Sequence, residues 1–171
     1  PQQRVHATPD PGPMRDVREL RIALVGEVRG EIQPCGCPTV PYGGFARRER
    51  LLAEVAGEGF PLFHLDAGEA LLKGVSQAGR DRQDLRMETV LSLMREVKVD
   101  LLVPGPTDLL AQNLKGLQAI SAQGPPLVSA TWLDEKGAPA FPASRVLERD
   151  GVRLGVVGLS ARPEAPETQA L

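Results

Sequence analysis

The strongest constraint on the fold of this chain is a regular alternation of short apolar runs and helical repeats. The run Arg21–Gly26 is apolar, contains β-branched residues and ends in glycine, which predicts a buried strand followed by a turn. Residues 60–65 and 99–103 predict a second and a third strand. Because strand, helix and strand recur twice in order, the sequence predicts an α/β fold with a mostly parallel sheet and flanking helices.

Three helices are predicted around these strands. The first covers Phe45–Val55 and ends at Gly57. The second is the clearest, because one helical face carries Met87, Val90, Leu91, Met94 and Val97. The third can be capped by Thr107 or Asp108. Its inward face is predicted to carry Leu110, Leu114 and Leu117.

The end of the chain predicts antiparallel structure. A fourth strand is expected at Pro126–Thr131, and Asp150-Gly151 between two apolar runs is the strongest hairpin signal in the sequence. We therefore expect a flexible N-terminal segment at 1–18 and one α/β domain at 19–162. Residues 163–171 are expected to be a tail or the start of a continuation.

Composition argues against several classes of partner. The chain has 20 Lys and Arg against 22 Asp and Glu, so nothing predicts binding to nucleic acid. The patch Arg47-Arg48-Glu49-Arg50 is interpreted as a solvated helix face. No stretch approaches the roughly 18 consecutive apolar residues of a membrane span. The chain begins with a Pro- and Gln-containing stretch rather than Met, so we expect a trimmed or exported form.

Acidic residues follow each of the first three predicted strands. Glu27 follows the first strand, Asp66 and Glu69 follow the second, and Asp108 follows the third. The carboxyl ends of parallel strands meet at one edge of a sheet, where such acids could bind a divalent cation. Acids at these positions also commonly cap helices or end loops. His64, on the second strand, is interpreted as a packed or hydrogen-bonded strand residue.

The two cysteines of the chain, Cys35 and Cys37, are separated by one glycine. Thiols this close can form a strained and easily reduced disulfide, or can chelate a soft metal ion. A redox role, a metal site and passive structural thiols are all compatible with this motif.

These loops resemble those of the calcineurin-like metallophosphoesterases, in the 5′-nucleotidase and UDP-sugar hydrolase branch. The motifs that carry the resemblance are Gly26-Glu27-Val28-Arg29-Gly30, Pro34-Cys35-Gly36-Cys37-Pro38, Gly43-Gly44-Phe45-Ala46-Arg47-Arg48, Asp66-Ala67-Gly68-Glu69 and Gly105-Pro106-Thr107-Asp108. The resemblance implies one half of a two-sheet sandwich and an exported location, periplasmic or extracellular. It also implies metal-dependent phosphoester or nucleotide hydrolysis.

The sequence departs from the family pattern where the chemistry would occur. By the resemblance, Asp66 stands at the position of the metal-bridging aspartate and is unchanged. Arg29 replaces a metal-binding histidine, and a guanidinium has no lone pair for a cation. Pro106 replaces a ligating asparagine, and Thr107 replaces the histidine that protonates the leaving group. The remaining acidic positions of the motifs hold Glu27, Glu69 and Asp108.

We therefore predict a non-catalytic metallophosphoesterase-like module, without a cofactor, that serves in binding or assembly. Arg29 is expected to pair with Asp66 or Glu27 and to supply the positive charge of a metal. One alternative is a degenerate hydrolase that keeps one divalent metal, such as Mn, Zn or Fe, on Glu27, Asp66 and Asp108. The other is a thiol redox or metal-binding module based on the Cys-Gly-Cys loop.

The predicted sheet also implies a partner. A parallel sheet normally has both faces covered, and the family's second sheet would be encoded after Leu171. We expect another subunit or a missing C-terminal half to cover the exposed face.

Overall fold

The computed structural model describes residues 19–34, 36, 39, 42–72 and 80–161. The predicted N-terminal segment at 1–18 and the tail at 163–171 lie outside the described residues, as do Cys35 and Cys37. In the described part, no helix is both long and apolar enough to cross a membrane.

A three-stranded parallel sheet organises the domain. Its strand order is β1-β2-β3, with β1 at Arg21–Val25, β2 at Leu62–Asp66 and β3 at Leu101–Leu102. Asp66 lies opposite Val25 on one side and Leu102 on the other. The predicted α/β fold with a parallel sheet is confirmed, and the carboxyl ends of its strands lie side by side.

Three helices flank this sheet in the described part of the chain. They are α1 at Phe45–Ala56, α2 at Arg80–Glu96 and α3 at Pro106–Gln123. The apolar stripe predicted for α2 is confirmed, since its buried residues are Met87, Val90, Leu91 and Met94, with Val97 buried just after the helix. Periodic apolar residues place α2 in the core because their burial removes apolar surface from water.

The third helix differs from its prediction. Leu110 is 61% exposed rather than inward, whereas Leu117 is fully buried. The helix is broken at Asn113, which has φ 52° and ψ 176°. Because the helical phase does not continue through this break, apolar residues on its two sides do not share one face. Leu109 packs against the core in place of Leu110.

The predicted fourth strand is also wrong as a full strand. It forms one isolated parallel bridge, between Leu102 and Leu127. Beyond the bridge, the backbone of this segment forms hydrogen bonds with irregular parts of the chain. One example is the Ser129 N–H, which donates to the carbonyl of Pro142 at 2.9 Å. The segment therefore lies against β3 but does not extend the sheet over its whole length.

The predicted hairpin is confirmed. Strands β4 (Ser144–Arg149) and β5 (Val152–Val157) form a separate antiparallel sheet. Asp150 and Gly151 have φ 52° and 78°, as a two-residue turn with positive φ at both central positions requires. Arg149 joins the hairpin to the parallel sheet, because its guanidinium donates to the carbonyl of Leu62 and the carboxylate of Asp100.

Apolar side chains remain exposed on β1 and near the hairpin. Those on β1 are Ile22 and Leu24, which are 48% and 68% exposed. Those on and after the hairpin strands are Val146, Val157 and Leu159. We call these five residues the exposed apolar face. Both faces of a parallel sheet are normally covered, so the exposure of Ile22 and Leu24 on β1 is unusual.

Candidate functional site

The loops after β1 and β2 run side by side at the carboxyl edge of the sheet. Glu27 N–H donates to the carbonyl of Gly68 at 2.9 Å, and Arg29 N–H donates to the carbonyl of Glu69 at 2.7 Å. Glu27, Arg29 and Glu69 all have positive φ, which non-glycine residues seldom adopt. These loops therefore hold a specific and strained shape, as loops at functional sites often do.

The loop after β2 also packs closely on the loop before α3. A Cβ added to Gly68 would come within 2.5 Å of the Val103 carbonyl oxygen, and Gly68 has φ +98°. A Cβ added to Gly105 would come within 2.7 Å of the Glu69 nitrogen. Backbone meets backbone here, so both positions require glycine. All three loops that carry the candidate acids are thus brought together.

Asp108 is fully buried and is used as a structural acceptor. Its Oδ1 accepts the N–H groups of Ala70 and Leu71 at 3.0 and 2.9 Å, and its Oδ2 accepts the N–H of Gly105 at 2.9 Å. It is the third residue of α3 and caps the helix through Gly105. Burial raises the pKa of Asp108, and the three hydrogen bonds oppose that rise.

Glu69 is held by Thr107. Glu69 Oε1 accepts the N–H of Thr107 at 3.2 Å, and Oε2 accepts the Thr107 hydroxyl. Thr107, at the position that the resemblance gives to a proton-donating histidine, therefore serves to fix a carboxylate. The Thr107 hydroxyl does not release its proton near neutral pH, so it cannot replace that histidine as a proton donor.

Arg29 lies beside Glu27, one of its two expected partners. The distance from Arg29 Nη2 to Glu27 Oε2 is 3.5 Å, and the side chains are 45% and 72% exposed. An ion pair this exposed contributes little to stability because water and salt screen it. The charge next to Asp66 comes from another residue.

Asp66 faces Arg48 rather than Arg29. Asp66 Oδ1 accepts the N–H of Gly68 at 3.0 Å, and Oδ2 lies 3.9 Å from Arg48 Nη1. The Asp66 side chain is fully buried and that of Arg48 is 14% exposed. Burial raises the pKa of Asp66 to about 6, although Arg48 and the Gly68 hydrogen bond oppose the rise. Burial also lowers the pKa of Arg48, and Asp66 opposes that change.

The interpretation of the arginine run as a solvated helix face is therefore wrong for Arg48. The signal that places Arg48 inside is its spacing, three residues after Phe45 and four before Leu52. It shares the helical face of these apolar residues, and its guanidinium lies 4.5 Å from the centre of the Phe45 ring. The apolar spacing of α1 predicts that position 48 is buried, although the charge of Arg48 indicated a solvated surface.

A cleft of about 720 Å³ opens beside these loops. Its polar lining includes Glu27, Arg29, Glu69 and Thr107, and its apolar lining includes Leu110 and Leu159. Ser160 also lines the cleft, and its buried hydroxyl has no hydrogen-bond partner among the described residues. The cleft can receive polar groups, but its acids are already engaged with protein donors.

No family model and no curated protein matches the sequence. Solved structures do match. A 5′-nucleotidase precursor from Thermus thermophilus has a TM-score of 0.62 and 23% identity, with 82% of this chain and 28% of that chain covered. The sulfate thiohydrolase SoxB of Thermus thermophilus has a TM-score of 0.64 and 18% identity, with 85% of this chain and 36% of that chain covered. The calcineurin-like phosphoesterase YfkN of Bacillus subtilis has a TM-score of 0.57 and 15% identity, with 82% of this chain and 48% of that chain covered.

This chain has the calcineurin-like phosphoesterase fold. It spans between about a quarter and a half of the length of the matched structures, 26% to 48%, so it is a partial domain of that fold. At 15% to 23% identity the likeness concerns the fold.

The acids of this phosphoesterase fold do not fit a two-metal centre in their present contacts. Both oxygens of Asp108 and both oxygens of Glu69 accept protein donors, and the remaining oxygen of Asp66 faces a guanidinium. Glu27 is exposed and paired with Arg29. Within the described ranges, no three His, Cys, Asp or Glu side chains are grouped so that they could hold a metal ion.

His64 is a hydrogen-bonded strand residue, as predicted. It is 3% exposed, and its Nδ1 lies 3.0 Å from the carbonyl of Val97. A carbonyl only accepts, so Nδ1 carries the hydrogen and Nε2 does not. Burial lowers the pKa of His64 and keeps the ring neutral near pH 7. The thiol hypothesis concerns residues outside the described part and stays a prediction.

Proposed function

We propose that this chain is a non-catalytic metallophosphoesterase-like module that serves in binding or assembly. The observation that carries the proposal is that Asp108 and Glu69 accept hydrogen bonds from the protein itself. Two-metal hydrolysis needs free carboxylate oxygens to hold both cations and activate water. Thr107 and Arg29 support the same proposal, because one lacks a transferable proton and the other lacks a lone pair.

The exposed apolar face supports the binding part of the proposal. Its five apolar side chains are 48% to 72% exposed. Exposed apolar surface is unfavourable in water, and contiguous patches of it often bind a partner. We propose that a second β-sheet covers this face, supplied by another subunit or by a longer form of the chain. An exported location, periplasmic or extracellular, belongs to the same proposal and has its support in the resemblance.

Hydrolysis assays test the non-catalytic part. The purified chain is incubated with MnCl₂, ZnCl₂ or ferrous iron and with AMP, UDP-glucose or bis(p-nitrophenyl) phosphate. We expect product release no faster than with metal in buffer, because both oxygens of Asp108 and of Glu69 are engaged and Thr107 cannot protonate the leaving group. Metal-dependent hydrolysis that disappears in Asp66→Asn would contradict the proposal, since that variant removes the bridging carboxylate.

A degenerate hydrolase with one metal is the second candidate. The observation in its favour is that Asp66 Oδ2 is buried and has no hydrogen-bond partner among the described residues. Elemental analysis of protein purified without chelators discriminates the two candidates. Stoichiometric Mn, Zn or Fe that Asp66→Asn abolishes would favour the hydrolase, and metal well below stoichiometry would remove it.

A further inference from the structure

We propose that Arg48 is a built-in cation that compensates the buried charge of Asp66, the residue that the resemblance gives as the metal-bridging aspartate. Asp66 ends β2 at the carboxyl edge of the sheet, and Arg48 projects from the first turns of α1 toward it. This inference goes beyond the proposed function, because it concerns the charge balance of the fold and not hydrolysis.

Burial makes this pairing consequential for both partners. The Asp66 side chain is fully buried and the Arg48 side chain is 14% exposed, so little water reaches either charge. Asp66 Oδ2 and Arg48 Nη1 have no hydrogen-bond partner among the described residues, which leaves each facing the other. Removing one member of a buried pair strands the other charge in a poorly solvated place.

The helix adds a second argument. Positive side chains near a helix N-terminus are opposed by the helix dipole, and the first turn of α1 has no acidic residue. Asp66 is the carboxylate within ion-pair distance of Arg48 in the described part of the chain. Asp66, at the end of β2, thus offsets the unfavourable interaction of Arg48 with the dipole of α1.

Packing is the competing explanation for Arg48. Its guanidinium lies 4.5 Å from the centre of the Phe45 ring, a contact that stabilises without Asp66. The two explanations differ in one respect. If Arg48 acts as a counter-charge, its removal is harmful only while residue 66 is charged.

A double-mutant cycle separates these explanations. Unfolding in urea is measured at about pH 7.5, where Asp66 is ionised, for the wild type, Arg48→Met, Asp66→Asn and the double variant. We expect Arg48→Met to lower the folding equilibrium constant about a hundredfold or more. In the Asp66→Asn background the same change should cost less than about tenfold. Arg48→Lys keeps the charge and should recover much of the loss.

Arg50→Met is the matched control, because Arg50 lies on the same helix, is 84% exposed and pairs with Glu54. It should change the equilibrium constant by less than about fivefold. The proposal is overturned if Arg48→Met costs the same with Asp66 and with asparagine, or no more than Arg50→Met. If Arg48→Met does not fold, folding of the double variant supports the proposal, and failure of both overturns it.

The unfolding midpoint of the wild type should also be the same in EDTA and in MnCl₂. A midpoint that MnCl₂ raises through Asp66 would overturn the inference even if no hydrolysis is found, so this outcome is separate from the test of the proposed function.

Discussion

At the scale of single residues, acids that look equivalent in the sequence have different roles. Asp108 accepts three backbone N–H groups and joins the loop after β2 to the start of α3. Glu69 is held by Thr107, whereas Asp66 lies against a buried guanidinium. Position after a strand predicted that these acids gather, but their partners come from residues up to 38 positions away. Such partners leave no mark in the local sequence.

The raised pKa of the buried Asp66 carboxyl predicts that the stability of the fold depends on pH. Burial raises its pKa from 3.8 to about 6, so the folded state binds the proton more tightly than the unfolded chain does. The contribution of Asp66 to stability is therefore fully present below about pH 4 and is lost as the pH rises through 6. Relative to Asp66→Asn, the wild type should lose about 2 kcal/mol of unfolding free energy between pH 4 and pH 7.

Urea unfolding of both proteins across this pH range measures the difference. His64 provides an internal control, because burial lowers its pKa and its effect has the opposite sign. Stability is lost at His64 as the pH falls below its ordinary value of 6.5, in both proteins alike. Parallel curves for the wild type and Asp66→Asn would show that Asp66 does not titrate as its burial requires.

At the scale of elements, the regular parts of the fold were predictable. The stripe of α2 and the Asp150-Gly151 turn are local patterns, so a short stretch of sequence specifies them. The break of α3 at Asn113 is not local in this sense, because it depends on how the two parts of the helix pack. The segment after α3 likewise bonds to distant irregular residues and makes only a bridge at Leu127.

Arg48 shows what limited the prediction of the site. The apolar spacing of α1 was visible in the sequence, and Arg48 falls on its buried face. Its charge and its charged neighbours nevertheless indicated a solvated surface. Arginine is seldom buried without a partner, and the partner Asp66 lies on another element. Only the folded arrangement identifies the pair.

Arg149 predicts how the hairpin is attached. Its guanidinium bonds the Leu62 carbonyl and the Asp100 carboxylate, and it lies 5.4 Å from the centre of the Phe63 ring. Arg149→Ala should lower the unfolding free energy by about 1 kcal/mol, since the side chain is partly exposed. Amide hydrogen exchange should speed up in β4 and β5 and stay unchanged in α2.

Arg145→Ala is the control for this prediction, because Arg145 is exposed on the same strand. It should leave exchange in the hairpin as in the wild type. A uniform increase of exchange over the whole domain in Arg149→Ala would mean that Arg149 supports global stability and not the attachment of the hairpin.

At the scale of the whole molecule, the fold is recognisable but only part of it is present. The chain covers 26% to 48% of the matched structures, and the exposed apolar face lies on β1 and near the hairpin. A sequence with this alternation of strands and helices predicts the architecture well. It does not predict what covers the exposed apolar face, because a covering surface leaves no local pattern of strands and helices.

The exposed apolar face predicts association of the isolated chain. In sedimentation velocity we expect concentration-dependent oligomers, or a monomer that binds an apolar fluorescent dye strongly, because exposed apolar surface is unfavourable in water. Leu24→Gln should weaken either behaviour. Leu51→Gln, at an exposed leucine on α1, is the control and should not. A clean monomer without dye binding would contradict the proposed covering sheet.

The pairing of Arg48 with Asp66 also affects how the fold depends on its surroundings. A dissociable ion stabilises a protein in proportion to the logarithm of its concentration over its dissociation constant, so starvation for that ion weakens the fold. A guanidinium on the polypeptide has a fixed local concentration set by the chain. A domain balanced in this way keeps the same stability whether trace metals are abundant or scarce.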